Sequence, residues 1–180
     1  MNSNFEDIEY FNYDIDWFCI GNDVSIHAAS NGCKFPRYGS HTQNKQSYNL
    51  ALKMPILFDD GSISLNQILK EQLRNVYPLQ YIQMVVNTLF PEIENPTFDF
   101  YFEKIYCKDF IEMAKRGFVS YDGVKDDKYR IIAWPPEIKK LENANFFHNE
   151  QLSKHKLFEK QTKPIGLSQT RKILEYCNQV

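Results

Sequence analysis

Ile15-Asp16-Trp17-Phe18-Cys19-Ile20, then Gly21-Asn22-Asp23, then Val24-Ser25-Ile26-His27-Ala28-Ala29 carries the clearest local signal in the chain. Apolar and aromatic residues on both sides of a Gly-Asn turn predict a β-hairpin, because glycine takes the positive φ that tight hairpin turns require. Ser30-Asn31-Gly32 ends the second strand. A similar pattern returns downstream, where Phe118 to Tyr121 and Tyr129 to Trp134 flank Asp122 to Lys128 and Pro135-Pro136 closes the second arm. Helical patterns fill the space between the two hairpins. The expected class is therefore α+β, an antiparallel sheet built from hairpins with packed helices.

Working outward, the chain from Asn31 through Tyr48 is polar, carries Pro36 and Gly39 and keeps no period, which predicts a loop ordered by Phe35, Tyr38 and Tyr48. Asp59-Asp60-Gly61 marks a turn, and Ser64 with Gln67 makes an S-x-x-Q capping box ahead of Leu65, Ile68, Leu69 and Leu73. Pro78 opens a second helix with Leu79, Ile82, Val85, Val86 and Leu89 on one face, closed by Phe90-Pro91. Thr97 to Phe102 reads either as a strand with Phe98, Phe100 and Phe102 on one side or as a helix beginning at Asp99. Ile105, Tyr106, Phe110, Met113 and Ala114 follow helical spacing, Lys115 and Arg116 complement the helix dipole, and Gly117 supplies the left-handed terminator. Leu141 to Lys163 fits neither period, and Ser168 caps a terminal helix to Tyr176. Trp17 and the Met113 to Tyr121 segment are expected to share one core.

With 43% hydrophobic and 24% charged residues, the composition is that of an ordinary globular protein and excludes wholesale disorder, collagen-like repeats and long coiled coils. A length of 180 residues suits one domain over 1–180, with 137–180 as a peripheral C-terminal extension. The net charge of −2 hides a gradient: six bases against nine acids over 1–90, five against nine over 91–127, and ten against five over 128–180. No membrane-length apolar run occurs and the N-terminus is acidic where a secretory signal is basic, so the expected location is the cytoplasm. Cys19, Cys33, Cys107 and Cys177 lie far apart with no C-x-x-C and read as reduced thiols.

Cys19, His27, Cys33 and His41 could be drawn together as a zinc site, but C-x7-H-x5-C-x7-H matches no close-paired ligand pattern, so no metal and no cofactor are expected. Ser30 or Cys33 with His27 or His41, and Asp16 as orienting acid, would give an enzyme of unrecognised type centred on His27. Against that stands the absence of G-x-S-x-G, S-x-x-K, H-E-x-x-H, Walker and G-x-G-x-x-G motifs. Asp59-Asp60 and Asp126-Asp127 adjoin turn glycines and read as turn formers before general acids. Lys154 to Lys160 is the one approximation to a nucleic-acid site, short and set in an acidic chain, so nucleic acid is not the expected partner.

Asp16-Trp17-Phe18-Cys19-Ile20 followed by Val24 to Gly32 and Phe35-Pro36 resembles the N-terminal hairpin of a group of small uncharacterised bacterial proteins. Their pattern is Asp-Trp-Phe or Asp-Trp-Tyr, a small residue, an aliphatic residue, a turn, a strand ending in Ser and Gly, and a proline. Met113-Ala114-Lys115-Arg116-Gly117-Phe118 with Ser120-Tyr121-Asp122, then Tyr129 to Pro135, is similar to the same group's helix, glycine, Tyr-Asp hairpin and closing proline. The chain departs from the pattern at Gly21-Asn22-Asp23 and at Ala28-Ala29, and 137–180 lie outside the likeness. Some members are immunity-like, so the resemblance implies a partner-binding protein of immunity or regulatory type, a link by analogy that supplies no mechanism. The expected partner is a protein, with no membrane, and the sequence names no oligomeric state. The expected contact residues are Arg37, Tyr38 and Tyr48 on the loop, with Asp59, Asp60, Asp126 and Asp127 as acidic edges.

Overall fold

The computed structural model describes residues 16–20, 24–31, 41–124, 128–139, 141 and 165–166. Both hairpin patterns form paired strands. β1 (Asp16–Ile20) and β2 (Ser25–Ala29) are antiparallel, with Trp17 opposite Ala28 and Phe18 opposite His27. β4 (Val119–Val124) and β5 (Lys128–Trp134) are antiparallel with a register shift at Ser120/Tyr121. The hairpins join through a parallel pairing of β2 with β4, which the expectation of an antiparallel sheet did not include. β3 (Ser64–Leu65) and β6 (Ile165–Gly166) each pair with β5, giving a six-stranded sheet in the order β1-β2-β4-β5-β3 with β6 on β5. The class is α+β. Every residue of β2 is buried, as expected of a strand with both neighbours paired and both faces covered.

Between β2 and β4 run the helices. α1 (His41–Leu52) corrects the loop reading over Asn31 to Tyr48 at its C-terminal end. Its sequence has no apolar stripe; what supports it is contact, since Ala51 and Tyr48 pack on Phe18, Met113, Phe118 and Leu141. α2 (Gln67–Val76) is capped by Asn66 and not by the Ser64-Gln67 box, because Ser64 is committed to β3. The Asn66 side chain accepts from Leu69 N at 2.9 Å and donates to Ile131 O at 2.8 Å, so the same residue starts the helix and ties it to β5. α3 (Leu79–Leu89) follows, with Pro78 as its extended N-cap. Thr97 caps α4 (Phe98–Tyr101), which settles the strand-or-helix alternative as helix.

After α4 the chain takes a π turn over Phe102–Tyr106, with Cys107 N donating to Phe102 O at 2.8 Å, and then α5 (Lys108–Lys115). A side-chain step of four overshoots an α turn of about 3.6 residues, and the wider turn takes up the excess. Phe98, Phe102, Tyr106 and Phe110 therefore stay in one file, at centroid spacings of 6.0, 5.7 and 6.5 Å. Gly117 ends α5 at φ +94°, and Leu57 N and Phe58 N cap the Lys115 carbonyl.

The helices bury Leu69, Ile82, Val86, Phe98, Phe102, Phe110 and Ala114 with Ala29, Ile132 and Ala133 of the sheet. Phe18, Phe118 and Met113 form a second cluster beside it. Trp17 points to the opposite face, in register with Ala28 and Tyr121, and its indole Nε1 donates to the Tyr129 hydroxyl at 3.3 Å. The expected common core of Trp17 and Met113 to Tyr121 is thus divided by the sheet: Tyr121 shares a face with Trp17, whereas Met113 and Phe118 share one with Phe18. No helix among the described residues is long and apolar enough to cross a membrane.

Candidate functional site

Strand register assembles a polar file at the centre of the sheet. Phe18 is opposite His27, so Asp16, two residues earlier on the same face, reaches His27 on the diagonal. Parallel pairing sets Ser120 beside His27 from the other side. His27 Nε2 lies 2.8 Å from Asp16 Oδ1 and Nδ1 lies 3.2 Å from Ser120 Oγ. A carboxylate only accepts, so Nε2 donates to Asp16, and in the neutral ring Nδ1 accepts from the serine hydroxyl. Phe18 and Phe110 pack on the imidazole at 5.2 and 5.9 Å.

Serine, histidine and aspartate in hydrogen-bonded order are the components of a nucleophilic triad. Here the components are sealed. His27 and Ser120 are both 0% exposed, and only Asp16, at 33% of its side chain, meets solvent. No acyl group can reach Ser120 Oγ in this arrangement. Each polar atom instead satisfies another within the apolar interior, which is how a buried histidine avoids a desolvation penalty of about 1–3 kcal/mol. Of the candidate nucleophiles, Ser30 is buried and Cys33 lies outside the described residues, as do the side chains of Cys19 and His41. Cys107 is buried, and burial pushes its thiol well above the usual range, so it is not a reactive thiolate.

The proposed contact residues are scattered. Tyr48 sits half-buried on α1 against Met113 and Phe118, its phenol pushed up to about 12 by burial and by the charges of Asp109 and Asp16. It lies on a helix, which corrects its expected place on a loop. Asp60 is not a bare acidic edge: Lys115 bonds it at 2.8 Å and Lys104 stands at 3.9 Å, and the Lys115 hydrogen bond holds its carboxyl below the ordinary value. Asp59 is exposed and its carbonyl accepts from the Ser62 hydroxyl. Arg37, Tyr38, Asp126 and Asp127 lie outside the described residues.

A different surface emerges on α3. Ile82 and Val86 enter the core, while Gln80, Tyr81, Gln83, Met84, Asn87 and Thr88 are exposed. Met84 is 59% exposed, Leu79 and Leu89 are 57%, and Val76 at the preceding corner is 69%. At that corner Tyr77 stacks on Tyr81 at 5.3 Å and meets Tyr101 edge-on at 5.7 Å. No charged side chain occurs on α3; the stretch from Asn75 to Pro91 is the longest in the chain without Asp, Glu, Lys or Arg. Helical periodicity gave the buried stripe of α3, and the missing charge on its outer side was the available signal for this surface. Comparison with protein-family models, curated proteins and solved structures finds no match.

Proposed function

We propose that this is a cytoplasmic protein-binding protein, of the immunity or regulatory type that the hairpin resemblance implies, and that α3 is its contact element. The observation that carries this reading is the neutral exposed face of α3. Solvent-facing helices are normally charged, whereas the centres of protein interfaces are depleted in charge and enriched in Met and aromatic residues. Tyr81 and Met84 are such residues, and their neighbours are amides and a hydroxyl. The sealing of Ser120 and His27 weighs against the enzyme alternative, since a nucleophile must meet its substrate.

The test is affinity capture from the source cytosol with wild type, with Tyr81→Ala/Met84→Glu, and with Ser120→Ala. Met84 is more than half exposed, whereas Tyr81 also stacks on Tyr77, so the double variant should stay folded and lose about 1 kcal/mol, read from its unfolding midpoint. A specific protein retained by wild type and Ser120→Ala, and lost from the α3 variant, is the expected result. Equal retention by all three removes α3 from the function.

A further inference from the structure

We propose that Tyr77 and Tyr81 are an oxidative cross-linking site, in which one-electron oxidation by a haem peroxidase fed with hydrogen peroxide joins the two phenol rings through a carbon–carbon bond. Tyr77 is the extended C-cap of α2 and Tyr81 lies in the first turn of α3, so the two rings meet across the Pro78 corner. Their centroids are 5.3 Å apart and their planes 15° from parallel. Tyr101 of α4 completes the group edge-on, at 5.7 Å and 64° to Tyr77 and at 6.3 Å and 74° to Tyr81. Of the tyrosine ring contacts among the described residues, Tyr77 with Tyr81 is the stacked one.

Ring orientation selects this pair. The unpaired electron of a phenoxyl radical is shared by the oxygen and the ring carbons ortho to it, in orbitals perpendicular to the ring, so two radicals couple where faces meet and not where an edge meets a face. Tyr81 is 39% exposed and Tyr77 is partly exposed, which lets an oxidant reach both, whereas Tyr101 is buried. Hydrogen peroxide takes one electron and one proton from each phenol and leaves as two waters. The two radicals pair their electrons in a bond between ortho carbons, and the hydrogen on each of those carbons moves to its oxygen, restoring both phenols. The product is the chain less two hydrogens, with α2 and α3 stapled at their corner. This chemistry needs neither a partner on α3 nor catalysis by the chain itself.

The test treats the dilute full chain with hydrogen peroxide and a haem peroxidase, then reads dityrosine fluorescence and the masses of tryptic peptides. Cleavage after Arg74 and Lys104 releases one peptide, 75–104, that holds Tyr77, Tyr81 and Tyr101. It should lose two hydrogens and give no fragments from breaks between Tyr77 and Tyr81, while fragments from breaks between Tyr81 and Tyr101 persist. Oxidation of exposed Met84 to its sulfoxide adds mass and is told apart on that ground. Tyr77→Phe and Tyr81→Phe should each lose the link and Tyr101→Phe should keep it, since all three preserve the packed rings and differ only in which phenol is removed. No link, a link that joins other tyrosines or two chains, or an equal yield from the urea-unfolded chain, where the stack is gone, overturns the proposal.

Discussion

His27 and Met84 each occupy the middle of a regular element, and each breaks the expected distribution of polar and apolar groups in the opposite sense. His27 is an ionisable residue with no exposed surface, and Met84 is an apolar residue more than half exposed. The first is resolved within the chain, because Asp16 and Ser120 meet both ring nitrogens. The second has no such resolution on α3, where the exposed neighbours carry no charge. A buried polar group with its partners in place belongs to the fold, whereas the exposed apolar residues of the uncharged α3 face are the contact surface of the function proposed above.

Truncation at the sheet centre should have the largest effect. His27→Ala empties a site between Phe18 and Phe110 and takes the imidazole partner from the buried Ser120 hydroxyl, and is expected to lower stability by about 3–5 kcal/mol, read from urea unfolding. A loss below about 1 kcal/mol would mean that the file is not part of the stabilising core. Trp17→Ala, on the opposite face, should cost a similar amount of about 3–5 kcal/mol and leave the Tyr129 hydroxyl without the indole donor. Equal losses would show that both faces of the sheet are cores.

Gly117→Ala comes next. A Cβ there would stand 2.8 Å from Leu141 Cδ2, at a φ of +94° that disfavours any side chain, so thermal unfolding should report a loss of about 1–3 kcal/mol. Asn66→Ala removes a cap and strands the Ile131 carbonyl, for a loss of about 2 kcal/mol. Both sharpen the contrast, since neither residue is on α3 and both join helices to the sheet.

The smallest effect belongs to the surface ion pairs. Lys70 bonds Asp99 at 3.0 Å and Lys115 bonds Asp60 at 2.8 Å, and these hydrogen bonds hold both carboxyls below their ordinary value of 3.8. Carboxyls depressed in the folded state add stability that is full above 3.8 and is lost as pH falls through their folded values. Because both acids are more than half exposed, solvent screens the gain, and unfolding midpoints should shift only slightly between pH 5 and pH 3. A steep collapse across that interval would place a stronger acid-sensitive contact elsewhere.

How much could be read in advance depended on how local each signal was. Asp16 was legible as an orienting acid for His27 because the two share one hairpin, whereas Ser120 was missed because it is 93 residues away and arrives through a parallel pairing that leaves no pattern in either strand. Tyr48 was legible as an aromatic that orders its segment, but not as a helical residue, since α1 takes its support from Met113 and Phe118. Asp60 looked like a bare acidic turn until Lys115, on a helix distant in sequence, was folded against it.

Alternation, helical spacing and the φ freedom of glycine act between residues a few positions apart, so the two hairpins, the buried Ile82 and Val86 of α3 and the Gly117 terminator of α5 were legible in the amino-acid order, whereas Leu79 and Leu89, expected on the same face as Ile82, are 57% exposed. That β2 lies beside β4, that Asn66 and not Ser64 starts α2, and that His27 is closed between Asp16 and Ser120 became visible once the chain was folded. Those outcomes depend on pairings between distant segments, whose energies are set by packing and hydrogen-bond satisfaction once the chain is compact.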